Sequence, residues 1–191
     1  MPAIVEYELV TLRLTGDGFQ CNYPNGGSFR FAPAIRTEVR GWITHPDPTI
    51  RPEMQPSIRL IPPPSEHNLA ALAARTWCDL LPGPAWIMPA AHWSFELEHG
   101  DRQWLPALLK SIAINSADLS PRTNAAAIEF TPADAPLFEQ FLAGLFYALT
   151  GSDFTLAFPG RPAIATIHHH KQLWWVTSNQ QLAVDLDKIA G

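Results

Sequence analysis

An α+β fold, with a mainly antiparallel twisted sheet and two to four helices packed predominantly on one face, is the architecture this sequence predicts. Three observations lead there. Short stretches of alternating apolar and polar residues fill the first 45 positions and return after position 153. Turn signals at Asn25-Gly26 and Pro159-Gly160-Arg161-Pro162 join neighbouring strands directly, as antiparallel pairing requires. A nearly uncharged helical segment lies at 131–151 and needs cover on more than one side.

The elements follow in order. Val5, Tyr7 and Leu9 alternate with Glu6 and Glu8, after which Val10, Leu12 and Leu14 take the opposite parity. A strand with a bulge near Leu9, or one buried on both faces, reconciles the two patterns. Gly16-Asp17-Gly18 is a turn, and Phe19, Cys21 and Tyr23 face inward on the next strand. Asn25-Gly26 closes a hairpin before Phe29 and Phe31, and Thr37, Val39, Gly41 and Ile43 share one side of a further strand. Prolines at 46, 48, 52, 56 and 62–64 discourage regular pairing across 45–64, leaving only a short edge strand at 57–61. The chain reads as one compact domain over 1–191; two lobes joined by this proline-rich crossover are the alternative.

Ser65 caps a helix over 65–81, with Leu69, Leu72, Ala73, Thr76, Trp77 and Leu80 on its buried face. Trp93, Phe95 and Leu97 alternate with Ser94, Glu96 and Glu98, which predicts a strand over 92–99. Asp101 caps a second helix carrying Trp104, Leu105, Leu108, Leu109 and Ile112. A strand at 125–130 feeds the late helix, which Thr131 caps, Pro132 and Asp134 begin and Gly151 stops. Strands at 153–158 and 163–169 form a hairpin, 173–177 adds another strand, and Asn179 caps a last short helix.

Composition narrows the function classes. A hydrophobic fraction of 47% argues against wholesale disorder, and no apolar run reaches the roughly 20 residues that span a bilayer. The first residues, with Glu6 and Glu8, lack a signal segment, so a soluble cytoplasmic protein with no membrane partner is expected. Thirteen basic against 18 acidic side chains give a net charge of -5, and no nucleic-acid partner is expected even if Arg30, Arg36, Arg40 and Arg59 gather on the sheet. Cys21 and Cys78 supply no disulfide framework and read as reduced, packed thiols.

The expected function is non-catalytic protein binding, assembly or scaffolding, with self or a heterologous protein as partner. Its handles are the apolar helix at 137–149, with Phe146, and the aromatic C-terminal region, with Trp174 and Trp175. The alternative is a metal-assisted or general acid/base enzyme of unknown substrate. His168-His169-His170 carries that reading: on an extended strand His168 and His170 share one side and His169 takes the other. Glu96 or Glu98, which share the parity of His92, would complete a two-histidine, one-carboxylate set for zinc or iron. A proton-transfer pair of His92 with Glu96 or Glu98 is the metal-free version. The wet side of a half-buried strand explains the same residues, and no HExxH motif, nucleophile elbow or phosphate loop is present.

Overall fold

The computed structural model describes residues 1–21, 27–98, 103–119 and 125–191. Its frame is an eight-stranded sheet. In chain order the strands are β1 (Ala3–Glu6), β4 (Glu38–Ile43), β5 (Ile58–Leu60), β6 (Ala85–Pro89), β7 (Ala125–Phe130), β8 (Phe154–Ala157), β9 (Ala163–His168) and β10 (Gln172–Thr177). Across the sheet they run β1-β7-β6-β8-β9-β10-β4-β5, and β2 (Phe19–Cys21) pairs with β3 (Phe29–Phe31) in a separate ribbon. Neighbours are antiparallel except β4 and β5, which are parallel because the 3₁₀ turn Pro52–Ser57 carries the chain back before β5 begins.

Both faces of the sheet are covered. The larger core receives Ile87, Ile128, Phe130, Phe154, Leu156, Ala165, Ile167, Leu173 and Trp175 from the strands. Against it lie α2 (Ser65–Leu80), α3 (Trp93–Glu98), α4 (Trp104–Ser111), α5 (Ala135–Ala148) and α6 (Gln180–Ala190). The opposite face offers Val5, Trp86, Met88, Ala127, Ala157 and Ile164 to α1 (Tyr7–Gly16) and the β2–β3 ribbon. Successive residues of β6 alternate between the two cores, so the strand is buried throughout and shows no polar alternation.

The α+β expectation holds, while the details differ. Six α-helices are present among the described residues rather than two to four, and one of them, α1, takes the face opposite the others. The second half of the expected first strand is α1: Val10 and Leu14, four apart, are its buried residues, and the parity break at Leu9 marks the change from strand to helix. The expected strand at 92–99 is α3, because Trp93 and Glu96, three apart, point inward while Phe95 stays exposed. Ser65 does not cap α2; Pro64 precedes the first turn, and the Ser65 hydroxyl donates to the Ile61 carbonyl. The Asn25-Gly26 and Asp101 expectations fall outside the described residues.

Local chemistry explains the elements that were anticipated. Asp134 accepts from the Thr131 backbone N at 3.0 Å and from its hydroxyl at 2.6 Å, closing a capping box at the 3₁₀ turn that leads into α5. The Asn179 side chain accepts from Leu182 N, capping α6. Among the described residues no helix is long and apolar enough to cross a membrane.

Candidate functional site

The chemistry collects at the turn between β9 and β10. Gln172 pairs with His168, leaving His169, His170 and Lys171 as a three-residue connection. Lys171 N donates to the His168 carbonyl at 3.0 Å, and Lys171 takes φ of 59°, the left-handed conformation such a turn needs. The turn overrides strand alternation. His169 is not sent to the opposite side: the ring centroids stand 4.2 Å apart for His168–His169, 4.4 Å for His169–His170 and 4.8 Å for His168–His170. One potential ligand nitrogen from each ring lies within 4.8 Å of the others.

Two aspartates stand behind the rings. Asp153, just before β8, accepts from His169 N at 3.1 Å and faces His169 Nδ1 at 2.8 Å. In the tautomer whose Nδ1–H donates to this carboxylate, Nε2 is the nitrogen with the lone pair for a ligand. The other Asp153 oxygen is 3.9 Å from His168 Nε2. Asp47 lies 3.6 Å from His170 Nδ1 and accepts from Gln172 Nε2 at 2.8 Å. The Thr49 hydroxyl first, with the Thr49 amide and the Gln172 side chain, holds the Asp47 carboxyl well below the usual carboxylate range. Burial pushes the His168 ring toward its neutral form, and the nearby Asp153 charge opposes that only in part. A neutral ring is the metal-binding form. Its Nδ1 accepts from the His170 amide at 3.2 Å, a contact that coordination through that nitrogen would displace.

Lys171 ties the turn to the helical layer by donating to Glu66 at the start of α2, 2.6 Å away, and this contact lowers the Glu66 pKa. Clefts open on both sides of the cluster. One, of about 520 Å³, runs between Ala90, Ala91, Phe95 and Glu96 on one wall and Ser152, Asp153 and His169 on the other. The second, of about 370 Å³, is bounded by Asp47, Ile50, Arg51, His168, His170 and Trp174.

The carboxylates beside the histidines are therefore Asp153 and Asp47. Glu96 is fully buried on α3 and accepts from the Ser152 hydroxyl at 2.9 Å; it lines the cleft with His169 instead of standing within the cluster. Glu98 and His92 are exposed near the two ends of α3, and the helix abolishes the shared strand side on which their grouping with Glu96 rested. Asp153 was legible in principle: extending the β8–β9 register by one pair beyond Phe154↔Ile167 sets it opposite His168.

The aromatic handles for a partner divide. Phe146 is 1% exposed and Trp175 is fully buried, stacked on Phe158 with centroids 5.8 Å apart; both are core residues of the subunit. They cannot form an outer patch, because the sheet and the helices of the larger core enclose them. Trp174 is half-buried on the other face, covers Gly41 and donates to Gln172 Oε1 at 2.8 Å. On the outside of the helical layer, Trp104, Leu108, Ala143, Gly144 and Tyr147 line a groove of about 930 Å³. Arg40 and Arg59 both pair with Asp187, so neither charge is unmatched.

No protein-family model, characterised protein or solved structure matches this chain.

Proposed function

We propose that the protein binds a divalent transition metal, zinc by preference, at the β9–β10 turn and uses it for Lewis-acid chemistry on a small molecule. The observation that carries this reading is the convergence of His168, His169 and His170, with one ligand nitrogen from each within 4.8 Å of the others. Imidazole nitrogens bind zinc at about 2.0–2.1 Å, so tetrahedral coordination needs them roughly 3.3 Å apart. The nitrogens must draw together by up to about 1.5 Å, which rotation of side chains that are half-buried or exposed can supply. Three imidazoles leave a fourth position to water, and the metal lowers that water's pKa. Zinc is favoured over iron because Asp153 and Asp47 lie behind the rings as orienting groups, whereas a mononuclear iron site draws a carboxylate into its coordination shell.

The test is metal content and calorimetric titration of the purified chain beside the His168→Ala/His170→Ala double variant. One equivalent of zinc per chain, lost in the variant with its thermal midpoint retained, is expected. A parent that takes up no zinc, or a variant that takes up as much, would end the proposal.

Protein association is the second reading, and the groove beside Tyr147 is the observation that favours it, since Tyr147 is 79% exposed on α5 while its neighbour Phe146 is buried in the core.

A further inference from the structure

We propose that the cleft between Ala90–Ala91 and Ser152–Asp153 is the ligand site of this centre, and that it takes a small uncharged molecule with an apolar body and one metal-coordinating atom. The inference rests on the metal reading above and adds the direction of approach and the class of ligand.

Size, chemistry and position agree. The cleft holds about 520 Å³, within the range of small-molecule sites, and His169 lies on its wall. Ala90, Ala91 and Phe95 give the cleft an apolar stretch, with Phe95 39% exposed although the other aromatic of α3, Trp93, is buried. Among its polar groups, Asp153 stands 2.8 Å from His169 Nδ1 and Ser152 donates to Glu96 at 2.9 Å, and His92 lines the cleft too. An apolar body against Phe95 with its coordinating atom toward His169 satisfies both parts at once.

Charge selects the uncharged ligand. Among the described residues no lysine or arginine lines this cleft, so a phosphate or carboxylate finds no guanidinium or ammonium partner there. The carboxyl groups of Asp153 and Glu96 line the cleft as well and present acceptor oxygens, which do not pair with an anion. The charge of the divalent ion itself disfavours a cationic ligand. The cleft on the other side of the histidines differs: it contains Arg51, and its Asp47 is already engaged by Thr49 and Gln172.

Cobalt(II) in place of zinc makes ligand entry visible in the absorption spectrum of the full chain. The probe is 4-phenylimidazole, a neutral nitrogen ligand with an apolar ring, compared with inorganic phosphate. Saturable change with the probe is expected, tighter than with phosphate. Ala91→Phe should fill the cleft and weaken the probe about tenfold while cobalt affinity stays unchanged, a loss of roughly 1.4 kcal/mol. Phe95→Ala, which removes the wall without adding bulk, should weaken it in the same direction, and Ile50→Trp in the opposite cleft should not. Cobalt that binds with no spectral response to the probe, phosphate that binds more tightly, or loss of the probe in Ile50→Trp but not in Ala91→Phe would each overturn the ligand site and leave the metal site standing. No cobalt uptake at all would overturn both.

Discussion

Removing Asp153 tests whether the histidine turn is a metal site or a chance meeting of rings. Its carboxylate fixes His169 twice, through the backbone N at 3.1 Å and through Nδ1 at 2.8 Å. It also lies 3.9 Å from His168 Nε2. Loss of a carboxylate that orients a metal-binding imidazole costs about 10- to 100-fold in affinity, or roughly 1.4–2.7 kcal/mol. Asp153→Ala should fall at the upper end, because it deprives two of the three rings of their counter-charge and leaves His169 free to rotate. Asp153→Asn keeps the shape and one acceptor oxygen, so about a tenfold loss is expected. Asp185→Asn serves as the control: it removes the same charge from α6, where Asp185 pairs with Lys188 at 2.8 Å. Zinc affinity is read by competition with a chromophoric chelator at pH near 7. An Asp153→Ala protein that holds zinc as tightly as the Asp185→Asn control would refute the assignment of Asp153 as an orienting group.

The two sides of α5 should answer differently to substitution. Phe146→Ala should cost about 3–5 kcal/mol and lower the thermal midpoint without changing subunit mass in solution. Tyr147→Glu should leave the midpoint nearly unchanged and, on the association reading, reduce the mass; an unaltered mass would remove the groove as an interface. Thr131→Ala should cost about 1 kcal/mol at neutral pH through loss of the cap. The Thr131 hydroxyl first, with the Met1 ammonium contributing, holds the Asp134 pKa at about 2, below its ordinary 3.8. The unfolded chain therefore binds more protons, so this contribution is complete above about pH 4 and fades as pH falls toward 2. Urea midpoints of parent and variant should converge over that interval, and a gap that persists to its acid end would show that the cap does not act through the Asp134 charge.

Much of the fold was legible where one signal agreed with another. Thr131, Pro132 and Asp134 announced the entry to α5, and the apolar run behind them announced its burial. Pro159 to Pro162 separated two apolar strands that do pair antiparallel. Errors came where a short window satisfied two patterns at once. The window from Trp93 to Glu98 satisfies both an alternating pattern and a helical i, i+3 pattern, and packing of Trp93 and Glu96 decided for the helix. β6 was overlooked because a strand covered on both faces has no polar residues to alternate with.

The histidine cluster was legible as a composition and illegible as a shape. Three adjacent histidines were conspicuous, yet the left-handed residue that gathers them is Lys171, where a glycine or asparagine would have marked the turn. Asp47 comes from the proline-rich segment before β5, far away in sequence, and only the pairing of β4 with β10 brings it near. Phe146 and Trp175 show the complementary limit. Their apolar character was evident, but whether the subunit itself encloses them depends on the number of layers, which local periodicity does not contain.

The outermost strand on the β4 side bears on how the sheet ends. β5 is three residues long, and Pro56 and Pro62 bracket it. The guanidinium of Arg59 turns back onto the Pro56 and Ile58 carbonyls at 3.2 and 3.0 Å, occupying acceptors that an incoming chain would seek, while its other arm reaches Asp187. A rim so brief, with its own side chain consuming its hydrogen-bonding capacity, offers a poor template for lateral growth. On that margin the protein guards itself against edge-to-edge aggregation by local chemistry alone.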